Sequence, residues 1–127
     1  MRILLDTHAL IWLFYDTDRL SAAASDAMRN AAEVAVSIES LWEIAIKKAL
    51  GKLDVVQSVT QIEKTCTDKN IAVLPIGVGA LEQIQQLPDI HRDPFDRLLI
   101  ATAVEEGMAL VTNDEAIQRY DVETIWE

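Results

Sequence analysis

Ile3-Leu4-Leu5-Asp6-Thr7 decides the fold: three apolar residues follow one another without polar alternation and end on a carboxylate and a hydroxyl. A strand with one face in water alternates, whereas a run that does not is buried on both faces, as inside a parallel sheet. Asp6 or Thr7 then suits the N-cap of the next segment. That segment, His8-Ala9-Leu10-Ile11-Trp12-Leu13-Phe14-Tyr15, reads as a helix with more apolar surface than one face of a short helix buries. It is either buried all round or partly offered to a partner.

The same kind of run recurs along the chain. Glu33-Val34-Ala35-Val36-Ser37, Ile71-Ala72-Val73-Leu74, Ala109-Leu110-Val111-Thr112 and Val122-Glu123-Thr124-Ile125-Trp126 read as four further strands. Helices are expected between them: from the Ser21 cap to residue 32, from Ser37 toward Leu50 with Gly51 closing it, over 55–69, briefly within 77–87, and from Pro94 to Glu106 with Gly107 as the stop. Another starts at Asn113-Asp114-Glu115. Strands alternating with helices imply right-handed crossovers, hence an α/β fold with a mostly parallel sheet and helices on both faces. Sites in such sheets lie at the carboxyl ends of the strands.

Residues 1–127 suit one domain, half of them apolar and a quarter charged. The formal net charge of -10 argues against nucleic-acid binding by bulk attraction, unless cations intervene. With Cys66 alone and only His8 and His91 beside it, a disulfide or a Cys/His zinc centre is not expected, and the cytoplasm is the default compartment. Asp6 interrupts the apolar start too early for a signal peptide, and no uncharged run is long enough to cross a bilayer.

Asp93-Pro94-Phe95-Asp96-Arg97-Leu98-Leu99-Ile100-Ala101 opens the longest late helix. Asp93 suits the N-cap, Pro94 the first helical position, and Asp96 the positive dipole end. In the helix after the second strand, Leu41, Trp42, Ala45, Ile46 and Ala49 form the expected apolar stripe, and Glu39, Glu43 and Lys47 step by four along another line. Glu43 either closes a Ser40-x-x-Glu43 capping box or pairs with Lys47 on a solvated face. If the first and fourth strands are neighbours, Asp6, Asp96 and Asp114 converge on one crevice, where their mutual repulsion calls for cations. Oxygen ligands of this kind suit Mg²⁺ or Mn²⁺ and phosphodiester hydrolysis.

These residues resemble the PIN-domain ribonucleases, and among them the VapC-type toxins of bacterial toxin–antitoxin pairs. The resemblance runs through Leu4-Leu5-Asp6-Thr7-His8-Ala9-Leu10-Ile11-Trp12, Ser40-Leu41-Trp42-Glu43-Ile44-Ala45-Ile46-Lys47 with Gly51-Lys52-Leu53, the His91 to Ala101 stretch, and Thr112-Asn113-Asp114. It implies a single PIN-like domain with a parallel five-stranded sheet in the order 3-2-1-4-5. It also implies Mg²⁺- or Mn²⁺-dependent endonucleolytic cleavage of RNA, inhibition by a cognate antitoxin, and a homodimer or toxin–antitoxin hetero-oligomer. Asp6, Glu43, Asp96 and Asp114 match the family's metal-binding, catalytic acids, with Asp93 a further member of the pocket. Glu39 matches no required acid and is expected at the surface unless it points inward.

Arg92, Arg97 and Lys47 are candidates for RNA phosphates. Thr112 and Asn113 either contact substrate and orient Asp114 or simply cap the following helix. The histidines are expected to be structural or near substrate, and the Trp12 and Phe14 segment and Trp42 to lie in the core first and in an antitoxin groove second. Two other functions compete: a non-catalytic binding module on the same fold, and a signalling receiver domain. The receiver needs a phosphoacceptor aspartate ending a middle strand, where Ser37 and Leu74 stand instead.

Overall fold

The computed structural model describes all residues from Met1 to Glu127. The five strands are β1 (Arg2–Leu5), β2 (Glu33–Ser37), β3 (Ile71–Leu74), β4 (Ala109–Val111) and β5 (Thr124–Ile125). They form one all-parallel sheet in the order β3-β2-β1-β4-β5. The helices are α1 (Thr7–Tyr15), α2 (Ala22–Asn30), α3 (Ile38–Ala49), α4 (Val59–Asp68), α5 (Val78–Gln86) and α6 (Pro94–Glu106). None is long and apolar enough to cross a membrane.

β1 is the centre of the molecule. Leu4 sits in register between Ala35 and Leu110, and Leu5 between Val36 and Val111, so the backbone is bonded on both edges. Ile3 and Leu5 join a core with Ala9, Leu10, Leu41, Ile44, Ile62 and Cys66, contributed by α1, α3 and α4. Leu4 faces the other way, onto Leu99 and Ile100 of α6 and Ile117. This two-sided burial is what the unbroken apolar run encodes.

Of the helices, α6 is the one enclosed most fully. Residues 98 to 103 are buried without interruption because the sheet covers one side and Ala80 of α5 the other. In α1 Ala9 and Leu10 are buried, residues 11 to 14 are half-buried, and Tyr15 is exposed.

Local chemistry sets the ends. Asp6, Ser21, Ser37, Ser58 and Asp93 each accept a backbone N–H at a helix start. Gly107 ends α6 at a φ of 66°, a left-handed conformation that side chains beyond glycine adopt at a cost.

Several expectations need correction. The helix expected over 55–69 begins only at Val59, where Ser58 and Gln61 form a reciprocal capping box. Asn113-Asp114-Glu115 opens no α-helix; a single 3₁₀ turn, Ile117–Arg119, follows, and the last strand shrinks to two residues. The stripe on α3 is also misjudged. Leu41 and Ile44 are buried, but Trp42 is 54% exposed and Ile46 36%. Trp42 meets Phe95 edge to face, with ring centroids 4.9 Å apart.

Candidate active site

Because β1 and β4 are neighbours, Asp6 follows Leu5 directly across from Val111, whose carbonyl accepts the Asp6 N–H at 3.1 Å. Asp6 Oδ1 accepts the Ala9 N–H at 2.7 Å, which locks its carboxylate over the start of α1. Beyond β4, the Asp114 N–H donates to Thr112 Oγ1 at 3.1 Å, and Asp114 Oδ1 accepts the Ala116 N–H at 2.8 Å. The chain turns here on side-chain bonds, and Asp114 is held beside Asp6.

α6 enters the same region from its N-terminus. Asp93 Oδ1 accepts the Phe95 N–H at 2.9 Å, so Asp93 is the cap, and Asp96 projects from the first turn. From α3, Glu43 Oε1 accepts the Thr7 hydroxyl at 2.8 Å and Glu43 Oε2 accepts Lys47 Nζ at 2.7 Å. Thr7 Oγ1 also lies 2.9 Å from Ser40 Oγ. Glu43 therefore pairs with Lys47 as one reading had it, but it is buried and faces inward instead of water.

The result is a cleft of about 260 Å³ lined by Asp6, Thr7, His8, Glu43, Lys47, Asp93, Asp96, Asn113 and Asp114. Five carboxylates share it with one ammonium. Burial, then the charge of Asp93, raises the Asp96 carboxyl to about 7, and His91 pulls the other way. Burial likewise raises Asp6 above the usual aspartate range, opposed first by the Thr112 hydroxyl and then by the Ala9 N–H.

Two groups that sequence reasoning undervalued stand behind the cleft, outside its lining. His91 Nε2 lies 3.0 Å from Asp96 Oδ2 and 3.2 Å from Asp114 Oδ2. The Asp93 N–H donates to His91 Nδ1 at 3.2 Å, so the ring proton sits on Nε2 and bridges the two acids. Glu39, expected at the surface unless it pointed inward, is fully buried, and neither of its carboxylate oxygens has a hydrogen-bond partner. Burial and the nearby charges of Glu43, Asp96 and Asp93 push its carboxyl up to about 9. The step of four from Glu39 through Glu43 was visible in the sequence, but not that this line faces inward.

These residues fit a divalent cation. Carboxylate oxygens of Asp96 and Asp114 lie within 4.8 Å of each other, and the surrounding oxygens leave negative charge that the protein does not neutralise. The receiver alternative finds no support, since β2 ends on Ser37 and β3 on Leu74, with no carboxylate at either position.

The remaining candidates separate. Lys47 and Asn113 line the cleft, and Arg92 is exposed outside its lining. Thr112 is fully buried, so its hydroxyl orients Asp114 and cannot reach substrate. Arg97 is also diverted: its guanidinium donates to the Pro88 carbonyl at 2.9 Å, the Tyr120 hydroxyl at 3.3 Å and the Ile84 carbonyl at 3.4 Å. It ties the loop before α6 to the body of the protein instead of presenting a free cation. Arg97→Met should cost about 2 kcal/mol in chemical denaturation, because those carbonyls lose a charged donor; an unchanged midpoint would return Arg97 to the phosphate contacts.

Comparison with known proteins agrees with this architecture. Residues 3–123 match the family model described as PIN domain. The chain is 32% identical over 126 residues to Ribonuclease VapC22 of Mycobacterium tuberculosis (strain ATCC 25618 / H37Rv), covering 93% of this chain and 91% of that protein. Among solved structures, it resembles a chain of VapBC2 from Rickettsia felis bound to a promoter DNA fragment, with a TM-score of 0.72, 15% identity and all of both chains covered. It also resembles a chain of DNA-bound VapBC from Salmonella typhimurium, with a TM-score of 0.67, 17% identity, and 98% and 96% of the two chains covered. At such identities the structural likeness speaks for the fold, and the sequence match speaks for descent: the chain belongs to the PIN domain family.

Proposed function

We propose that this protein is a metal-dependent endoribonuclease that cleaves RNA phosphodiester bonds, acting in the cytoplasm as a toxin neutralised by a cognate antitoxin. The observation that carries the reading is the convergence of Asp6, Glu43, Asp96 and Asp114, from four separate stretches of the chain, on one acidic cleft. Identity to a curated protein named a ribonuclease supports the activity. Sharing a fold with chains of VapBC assemblies supports the antitoxin partner.

Asp6, Asp96, Asp114 and Glu43 would hold Mg²⁺ or Mn²⁺, and Asp93, a further member of the pocket, would aim Asp96 without holding the ion. When bound, the ion polarises the phosphate and the attacking water and offsets charge in the transition state. The protein's part is to present its acids in fixed positions. Thr112 holds the Asp114 backbone, Ala9 holds Asp6, and Thr7 holds one oxygen of Glu43. Asp93 caps α6 and thereby aims Asp96. Lys47 is the cation lining the cleft, and with one N–H given to Glu43 its ammonium keeps two to meet a phosphate oxygen.

The test is cleavage of RNA by the purified protein. Activity is expected with Mg²⁺ or Mn²⁺, disappears in EDTA and returns when Mn²⁺ is restored; full activity in EDTA overturns the mechanism. Growth arrest on expression should vanish in Asp114→Ala. Because Asp96 must lose its proton to hold a cation and ionises near 7, apparent Mn²⁺ affinity should fall about tenfold per pH unit below that value. Calorimetric titration between pH 5.5 and 8 checks this, and a flat affinity would remove Asp96 from the ligand set.

A further inference from the structure

A second cavity, of about 560 Å³, is lined by Asn113, Glu115, Gln118, Thr124, Trp126 and Glu127. Asn113 lines the acidic cleft as well, so the two share a wall. A row of flat rings also joins them. His8, in the cleft, stacks on Trp12 with centroids 5.6 Å apart and planes inclined by 17°, and Trp12 meets Trp126 at 5.7 Å.

The lining excludes one class of ligand and suits another. Glu115 and Glu127 repel phosphate, and no lysine or arginine lines the cavity to offset them. Two side-chain amides, a threonine hydroxyl, carboxylate acceptors and an indole face suit a flat, neutral heterocycle bearing N–H groups. A base stacked on an aromatic side chain while its edge meets amides and carboxylates is how single-stranded RNA is usually read.

Taking the ribonuclease reading as premise, we propose that this cavity is the subsite for a base adjacent to the scissile phosphate, and that it selects guanine. Guanine presents N1–H and its N2 amine side by side, a pair that one carboxylate accepts bidentately. Its O6 and N7 are left to accept from amides such as those of Asn113 and Gln118. Uracil places a single N–H between two carbonyls, which the carboxylates disfavour. Adenine and cytosine set one exocyclic amine beside a ring acceptor, so each satisfies a carboxylate only half as well. Asn113, common to both cavities, links base recognition to the cleft.

Two measurements test the subsite. In EDTA, guanosine should shift the NMR signals of the Trp126 indole N–H and the Asn113 and Gln118 side-chain amides, and uridine at the same concentration should not. Trp126→Phe identifies the indole signal. No shift, or equal shifts from both nucleosides, overturns the proposal whether or not the protein cleaves RNA. With Mn²⁺ and a pool of single-stranded RNAs, cleavage beside guanine should exceed cleavage beside uracil on the order of tenfold, as expected for one bidentate base contact. Glu115→Gln combined with Glu127→Gln should bring that ratio close to one while cleavage persists. An unaltered ratio overturns the subsite, whereas a pool left uncut by the wild type defeats the ribonuclease premise and leaves the nucleoside titration to decide the cavity.

Discussion

Asp96→Asn should lower the single-turnover rate of RNA cleavage at saturating Mn²⁺ by roughly a thousandfold or more, well beyond the 10–100-fold expected for a group that only supports a ligand. The substitution keeps the size of the side chain and the start of α6, so the fold should survive. Metal-free protein should even gain some stability, since a half-buried carboxyl that burial and Asp93 already hold at about 7 is replaced by a neutral amide. Asp93→Asn is the comparison. Asparagine caps helices about as well as aspartate, so α6 should form normally and the rate should fall by tens at most. Quench-flow cleavage and thermal unfolding of the two variants separate holding a cation from aiming the group that holds it. A rate for Asp96→Asn within tenfold of the wild type would exclude Asp96 from the chemistry.

Glu39→Gln should remove a pH dependence of folding that the wild type cannot escape. An ordinary glutamate ionises near 4.5, and Glu39 in the folded protein near 9. Between those values the folded state holds a proton that the unfolded chain has released. Wild-type stability must therefore fall as pH rises through this window, and the contribution is fully present only below the unfolded pKa. Complete retention of the proton would cost about 1.4 kcal/mol per pH unit, and roughly 1 kcal/mol per unit is expected once local relaxation is allowed. Denaturant melts in EDTA at pH 5, 6.5 and 8 should show the two proteins alike at the acid end and the variant more stable by roughly 3 kcal/mol at pH 8. Glu39→Leu should go further by also removing the two unpartnered oxygens. Parallel pH curves for the wild type and Glu39→Gln would mean that Glu39 is ionised and solvated in the native protein.

The burial of Glu39 goes with the orientation of α3 as a whole. Helical periodicity groups residues into faces, here Trp42 with Ile46 and Glu39 with Glu43 and Lys47, but it does not say which face turns inward. Ordinarily the apolar face does. In α3 the polar line turns toward Thr7 and α6 because the acidic cleft lies there, and Trp42 with Ile46 is left at the surface. Hydrophobicity ranks faces correctly only where the alternative to the core is solvent, and here the alternative is a site.

Other residues follow the same division. The strands of the sheet, the caps at Asp6, Ser21 and Asp93, and the stop at Gly107 rest on local chemistry, and local sequence was enough to read them. The 3-2-1-4-5 order came from family resemblance, because strand order depends on which crossovers are taken and leaves no mark on any single strand. Asp6, Asp96 and Asp114 were recognisable as acids at strand ends and a helix start. Tertiary structure alone decided that His91 bridges Asp96 and Asp114, that Arg97 is consumed by carbonyls at 84 and 88, and that Thr112 is sealed beneath Asp114. Ile3-Leu4-Leu5 could announce a strand buried on both faces because burial is a property of the run itself. A bridging proton or a spent cation belongs to groups many residues apart, and their contacts exist only once the chain has folded.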